Sequence, residues 1–470
     1  MKRIFQIIVL LMVAHQAFTQ QKNVVMFVVD DLGYFDIETH GSSFYETPNI
    51  DALAKEGIDF SNAYVSHPRC VPSRYGMQTG KYPARVGVPG GHGKDECNLE
   101  ETEITIGQAF KNNGYQTAFI GKWHLGNTEE AWPQNRGYDV NIAGCSAGAP
   151  RSYFYPYNVP KNPKKSGNHK LIVGLEEGTK GEYLTDRLTK ESVKYLKEEH
   201  KKPFFMMLCH YGVHTPLEAK PDLVKKYQEK LKGMSFEGPE FLMKDGETKK
   251  NQDNAVYAAM IESVDQSLGQ LVATLKEEGL YDNTIILFTS DHGGLSNRGV
   301  GNKRKIATSN LPLRAGKGHN YEGGTKVPLI LSGAIGEVSV NINQLTINTD
   351  IYPTLLDLCD LPLEKKQHLD GISIKPSIVK NKNIKRKLYW HSPMARPQST
   401  GDTNCTVVRE ENLKLFYFYD EDRYEMYDVN EDPYETNNIF ESNNKNAKKL
   451  VKAIQNWQQD VNAVIIKNNK

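Results

Sequence analysis

Cysteine is scarce in this chain, and what there is lies scattered. Six cysteines in 470 residues (Cys70, Cys97, Cys145, Cys209, Cys359 and Cys405) never fall as Cys-x-x-Cys, so neither a disulfide framework nor a zinc site is implied. An excess of one charge is also missing. Lys+Arg is 58 and Asp+Glu 57, a net charge of +1, so no global field draws the protein to nucleic acid. There is no internal repeat, which argues against solenoids and propellers. Beyond the amino terminus no apolar run approaches the roughly 20 residues that a bilayer requires, so no membrane anchor is expected.

The one long apolar run comes first. In "MKRIFQIIVLLMVAHQAFTQQ" the basic pair Lys2 and Arg3 precedes an apolar stretch over 4–13, and the small residues Ala17 and Thr19 come after it. This reads as a secretory signal peptide over 1–19 and predicts an exported protein, periplasmic or secreted. No cysteine stands at the cleavage point, which argues against a lipid anchor.

Short apolar, β-branched runs ending in polar clusters recur along the rest. "NVVMFVV" ends at Asp30 and Asp31, "QTAFI" runs into "GKWHLG", and "PFFMMLC" leads to His210 and "HTP". "TIILFTS" ends at Asp291 and His292, and "KVPLILSG" comes later. Such runs predict buried strands of a largely parallel sheet. Between them lie helical patterns. "TPNIDALAKEG" offers Thr47 as N-cap, Pro48 at the first position and Gly57 as terminator. Ile261, Val264, Leu268, Leu271 and Leu275 repeat at three and four residues, an amphipathic helix closed by Gly279. The expected fold is α/β, a large mostly parallel sheet flanked by helices over 20–361. From about Pro362 antiparallel strand patterns and a last helix, "NAKKLVKAIQNWQQDVNAVI", predict a smaller C-terminal α+β subdomain over 362–470. The Pro-, Tyr-, Lys- and Gly-rich stretch 148–181 reads as a long surface excursion.

Ligands of open α/β sheets bind beyond the carboxyl ends of the strands. The polar residues there are Asp30, Asp31, Lys122, His124, His214, Asp291 and His292. Taken singly, each acidic pair is also readable as a turn or cap. Together they suit a divalent-cation site, because adjacent carboxylates repel and need a counter-charge. A mostly oxygen shell favours Ca²⁺ or Mg²⁺. In "HPRCVPSRYGMQTGKYP", Pro72 suits a first helical turn, which sets Cys70 at the positive end of a helix with Arg74 one turn along. There a thiol is acidified and an anion is favoured. Lys317 lies in "LRAGKGHNYEGG", a glycine-rich loop that is also readable as merely flexible. These cations and proton carriers around a metal and a reactive Cys suit an anionic substrate whose transition state spreads charge over several oxygens.

"DDLG", "CVPSR", "GKWHLG", "HTP", "TSDHGG" and "LRAGKGHNYEGG" stand in the order and spacing of the formylglycine-dependent, arylsulfatase-like sulfatases of the alkaline phosphatase superfamily, which this chain resembles from about Asn23 to Gly333. "DRYEMYDVNEDPYETNNI" is similar to that family's C-terminal subdomain. The resemblance implies that a formylglycine-generating maturation enzyme oxidises Cys70 to 3-oxoalanine, an aldehyde that hydrates to a diol. It implies that Asp30, Asp31, Asp291, His292 and modified Cys70 hold Ca²⁺, with Mg²⁺ open because His292 stands where many members carry Asn. It also implies that Arg74 holds the diol, Lys122 and Lys317 hold the sulfate oxygens, His124 is the base that regenerates the aldehyde, and His214 protonates the leaving oxygen. The expected substrate is a sulfated polysaccharide or its oligosaccharides, algal (ulvan, carrageenan, fucoidan) or glycosaminoglycan. Basic clusters at 161–165, 301–305 and 382–387 and the aromatic stretch "RSYFYPYN" are candidate glycan contacts, or ordinary solvated lysines and loop packing. Two other readings fit the same residues: a phosphodiesterase or phosphonate hydrolase of the same superfamily, and an unmodified sulfated-glycan-binding protein.

Overall fold

A computed structural model describes residues 21–87, 89, 99–159, 170–336 and 342–467. The expected signal peptide, Cys97 and the basic cluster at 161–165 lie outside them. The strands of the main sheet are β1 (Asn23–Val29), β2 (Ile58–Asp59), β3 (Gln116–Gly121), β4 (Val140–Ile142), β5 (Phe204–Cys209), β6 (Thr284–Ser290) and β7 (Leu329–Gly333), in the spatial order β2-β7-β6-β1-β5-β3-β4. β6, β1, β5, β3 and β4 run parallel, and β7 is antiparallel to both neighbours. The "KVPLILSG" run therefore joins the predicted sheet in the opposite direction, because apolar β-branched composition specifies burial and not polarity.

Both faces of the sheet are covered, which is why its strands read as unbroken apolar runs. Among the described residues the longer helices are α1 (Pro48–Glu56), α2 (Cys70–Thr79), α3 (Ile106–Asn112), α4 (Leu184–Leu196), α5 (Pro221–Lys232), α6 (Ala255–Glu277), α7 (Ile351–Leu358) and α8 (Lys445–Asp460). Val25, Phe27 and Val29 of β1 pack with Tyr257, Ile261, Val264 and Leu268 of α6 and Leu188 of α4. Val24, Met26 and Val28 face the other way, onto Tyr75 and Met77 of α2, Phe110 of α3 and Tyr352 and Leu355 of α7.

Thr47 is at the N-cap of α1 but its side chain makes no cap hydrogen bond there. Its hydroxyl oxygen accepts instead from the Glu38 N–H at 2.8 Å. The first amides of α1 are satisfied by Asp265 of α6, whose Oδ1 accepts from Asn49 N at 2.9 Å and Ile50 N at 2.8 Å. The stretch over 148–181 is less of a surface excursion than expected: Tyr153, Tyr157, Ile172 and Leu175 are buried in the main core.

The C-terminal strands β8 (Lys387–Ser392), β9 (Cys405–Glu410), β10 (Leu413–Phe418) and β11 (Arg423–Asp428) form an antiparallel sheet in chain order. One face of it packs Ala447, Leu450 and Ile454 of α8 against Val408, Leu415 and Met426. The other sets Trp390, Val407 and Phe416 against Tyr64, Tyr82, Tyr321 and Ile347. Within that interface Lys414 Nζ lies 2.8 Å from Glu322 Oε1 and 3.1 Å from Glu435 Oε1, all three buried. α8 ends at Asp460, short of the expected Ile465, where Val461 turns into the core and Asn462 takes a positive φ.

Candidate active site

Parallel register builds the floor of the site. Val28 pairs with Cys209, Val29 with Ser290 and Gly121 with Cys209, so four strand ends are level. The next residues, Asp30, Asp31, Lys122, Asp291 and His292, therefore emerge side by side, and all five are buried. α2 brings Cys70 over them from its first turn, and the loop between β6 and β7 brings Lys317, whose amide donates to Gly294 O at 3.0 Å. That glycine-rich loop is close-packed: a Cβ on Gly293 would strike the Gly323 carbonyl, and one on Gly323 the Ala315 carbonyl. The glycines are there for backbone approach.

Cys70 Sγ lies 3.1 Å from His292 Nε2 and 3.9 Å from Asp30 Oδ1. His292 Nε2 is in turn 3.1 Å from Asp31 Oδ1 and 3.5 Å from Asp291 Oδ1. Each carboxylate has a basic partner. Lys122 Nζ contacts Asp30, Lys317 Nζ is 2.6 Å from Asp31 Oδ1, and Arg74 lies 2.9 Å from Asp291 Oδ2. Arg74 also donates to Lys122 O at 2.7 Å. His124 shares the cavity wall with Cys70. His214 Nε2 is 3.8 Å from Asp31 Oδ2, and the Tyr153 hydroxyl fixes its segment by donating to His214 O at 2.8 Å and Tyr211 O at 2.5 Å. The structure thus brings all ten sequence-selected residues together. Tyr153, part of "RSYFYPYN", packs behind the site instead of standing open to a sugar.

The charges explain the titration. Burial and neighbouring Asp291 push the Asp30 carboxyl up. Burial works against ionisation of Cys70, but Lys122, Lys317, His292 and neighbouring His124 hold its thiol well below the usual value. Burial pulls His124 down to about 4 and His214 down to about 3, so both are neutral at pH 7. Burial lowers His292 too, yet Asp291, Cys70 and Asp31 drive it up to about 9. The centre therefore demands positive charge where that ring nitrogen sits.

A divalent cation answers the same demand. Ligand atoms of Asp30, Asp31, Cys70 and His292 all lie within 4.8 Å of one another, and the buried Asp31 Oδ2 has no hydrogen-bond partner. The His292 Nδ1 edge sits 3.0 Å from Gly293 O, which in the neutral ring makes Nδ1 the donor and turns the Nε2 lone pair inward. Asp291 stands just outside this group, its Oδ2 held by Arg74. The residues fit a hard divalent ion.

Above Cys70 opens a cavity of about 270 Å³ lined by Arg69, Cys70, His124, His214, Arg304, Lys317, Arg396 and Thr400, among others. Arg69, Arg304, Arg396 and Thr400 stand outside the motifs that mark the rest. Arg69 is detectable by its position directly before Cys70, and Arg304 lies in the basic cluster at 301–305. The cluster at 382–387 is elsewhere: Lys385 and Arg386 line a different cavity, and Arg386 pairs with Asp350 at 2.5 Å.

Comparison with known proteins agrees with this geometry. The family profile described as Sulfatase matches residues 22–361, and one described as N-sulphoglucosamine sulphohydrolase, C-terminal, matches residues 316–462. A sulfatase of Formosa agariphila is 30% identical over 531 residues, covering 96% of this chain and 90% of that protein. The N-acetylgalactosamine-6-sulfatase of Mus musculus is 27% identical, with 79% and 69% covered. The crystal structure of Ps i-CgsB in complex with k-i-k-neocarrahexaose superposes with a TM-score of 0.74 at 29% identity, covering 94% of this chain and 93% of that one.

Proposed function

Because the chain belongs to the sulfatase family and is a sulfuric ester hydrolase, we propose that it removes sulfate from sulfated oligosaccharides or polysaccharides through an oxygen nucleophile derived from Cys70. The observation that carries this reading is the position of Cys70 at the first turn of α2, beneath a polar cavity and within reach of His124, His292 and Asp30. The neocarrahexaose bound by the related crystal structure supports a carbohydrate substrate.

Oxidation of Cys70 to formylglycine by a maturation enzyme would supply, once hydrated, two hydroxyls on one carbon: one to attack sulfur and one whose deprotonation lets sulfate leave. Asp30, Asp31 and His292, with Asp291 adjacent, would hold a divalent cation, Ca²⁺ or Mg²⁺, that acidifies the attacking group and offsets charge on the sulfate. Lys122 and Lys317 would face sulfate oxygens once the cation engages their carboxylate partners. Arg74, anchored on Asp291 and Lys122 O, positions residue 70. His124, neutral and lining the cavity with residue 70, is the base for the second hydroxyl. His214 at the cavity wall donates a proton to the departing sugar oxygen; burial first, and then the Lys317 and Lys122 charges, hold the ring neutral without substrate, and the anionic ester offsets the lysine part. Residues 20–361 would supply this centre and 362–470 the wall bearing Arg396 and Thr400. Export follows from the charged and apolar start over 1–19. Among the described residues no helix is long and apolar enough to cross a membrane.

The test pairs peptide mass spectrometry across Cys70 with sulfate release. Protein made beside a maturation enzyme should carry the aldehyde, and should cleave nitrophenyl sulfate and sulfated oligosaccharides in preference to bis-nitrophenyl phosphate. An active preparation whose Cys70 is quantitatively alkylated by iodoacetamide would overturn the nucleophile.

A further inference from the structure

Inside the centre every cation has an acid: Lys122 has Asp30, Lys317 has Asp31 and Arg74 has Asp291. The same holds for the first ring outward, where Arg69 is 2.6 Å from Asp402 Oδ2. The other oxygen of Asp402 is also engaged: its Oδ1 accepts from the Thr400 hydroxyl at 2.5 Å and from Arg396 N at 3.2 Å. Arg304 breaks the pattern. Its guanidinium lines the same cavity and reaches only the Ser399 hydroxyl, at 3.5 Å; among the described residues no carboxylate pairs with it.

This arginine is nevertheless held in place. Arg298, itself 2.6 Å from Glu247, donates to Arg304 O at 2.8 Å, and Asn302 Oδ1 accepts from Arg304 N at 2.7 Å. Asn302 Nδ2 donates to Gln398 O at 2.6 Å, and so ties this segment to the one that carries Arg396 and Thr400. Arg304 is half-buried, and its charge is felt by Lys317 on the cavity floor. Two arginines from segments about ninety positions apart thus converge on one mouth, directly beside the site of ester cleavage.

We propose that Arg304, with Arg396 alongside, forms a subsite for a second anionic substituent of the substrate, a sulfate half-ester or carboxylate on the sugar that bears the scissile sulfate or on its neighbour. The inference rests on the sulfatase reading above and narrows it: the preferred substrate is a glycan fragment with two closely spaced anions, not a singly sulfated neutral one. A planar guanidinium matches either anion with paired hydrogen bonds, so the arms of the experiment separate them.

The experiment measures kcat/KM of the matured full-length protein for three oligosaccharides that share one scissile sulfate and differ in the second substituent: sulfate, carboxylate or hydroxyl. Wild type should favour one of the anionic pair over the hydroxyl compound. Arg304→Ala should shrink that preference by about tenfold to a hundredfold, the range for losing a charged hydrogen bond. Arg304→Lys should restore part of it, and rising salt should compress it in wild type. Because the readout is a ratio of substrates on one preparation, partial misfolding does not move it. A preference unchanged in Arg304→Ala, or absent in wild type, overturns the subsite and leaves the sulfatase reading standing. A matured protein that cleaves no sulfate ester, nitrophenyl sulfate included, removes both.

Discussion

The sulfur of Cys70 and Nε2 of His292 are 3.1 Å apart although 222 positions separate them in the chain. One comes from the first turn of α2 and the other from the end of β6, so the contact reports that helix and sheet are docked to within atomic tolerance. It also means that the proposed chemistry at residue 70 and the proposed ion binding at His292 would not be separable events.

Removing the ion should therefore stop turnover. Exhaustive chelation is expected to abolish sulfate release, and Ca²⁺ or Mg²⁺ to restore it. Asp31→Asn should weaken that restoration about tenfold or more, since it removes charge from a buried ligand oxygen. Full activity in protein shown by elemental analysis to be metal-free would refute the cation's role.

Cys70→Ser separates attack from release. A serine hydroxyl in the same place can take sulfate but lacks the second hydroxyl needed to expel it. A burst of at most one sulfate transferred per site, and then a stall, is expected in rapid-quench experiments with intact-mass detection. Sustained turnover near the wild-type rate would contradict the two-hydroxyl route.

His214 and His124 should be distinguishable through the leaving group. His214→Ala should cost little on a nitrophenyl sulfate, whose phenolate departs unaided, and about a hundredfold or more on a sugar sulfate. His124→Ala should depress kcat on both, because its step comes after loss of the alcohol. Equal proportional losses for His214→Ala on the two substrates would reduce that residue to a sulfate-positioning group.

Away from the centre, Glu322 and Glu435 share Lys414 in the interface between sheets. Burial works against both charges, but Lys414 and Arg409 bring Glu322 down to about 2. Glu435, buried and facing that charge, is pushed up to about 7. A carboxyl whose folded pKa exceeds its unfolded one contributes stability that is complete below about 4.5 and is lost as pH rises through 7. Glu435→Gln should flatten this part of the profile and leave the variant more stable than wild type at pH 8, on the order of 1 to 3 kcal/mol. Denaturant melts from pH 4.5 to 8 test it, and parallel profiles for the two proteins would show that Glu435 is ionised throughout.

Residues at strand ends are legible in the sequence because buried parallel strands announce themselves as apolar runs, and the polar residues that end each run must surface at the same edge. Asp30, Lys122, Asp291 and His292 stand out in this way, and Cys70 through the proline and arginine around it. Strand polarity is not legible, so nothing in "KVPLILSG" betrays the reversal of β7. Nor is the true cap of α1, because Asp265 arrives from 216 positions away. Arg396 carries no local signal at all: it lines the cavity only because the C-terminal sheet packs against Tyr64 and Tyr82 and lays its β8–β9 loop over the centre.

That overlay sets a deadline. Every residue of α2 except Val71 is buried, Cys70 is 8% exposed, and the segment leading into it is pinned by Trp390 Nε1 to Val65 O and by Arg69 to Asp402. A maturation enzyme that has to reach "CVPSR" itself would find it covered once the helix has formed and the C-terminal sheet has packed against it. The proposed oxidation of Cys70 is therefore a race against folding, won only on a nascent or unfolded chain. On that reading the active fraction of a preparation would be fixed at birth: native protein incubated later with the maturation enzyme should stay inert, whereas the same protein unfolded, treated and refolded should gain activity.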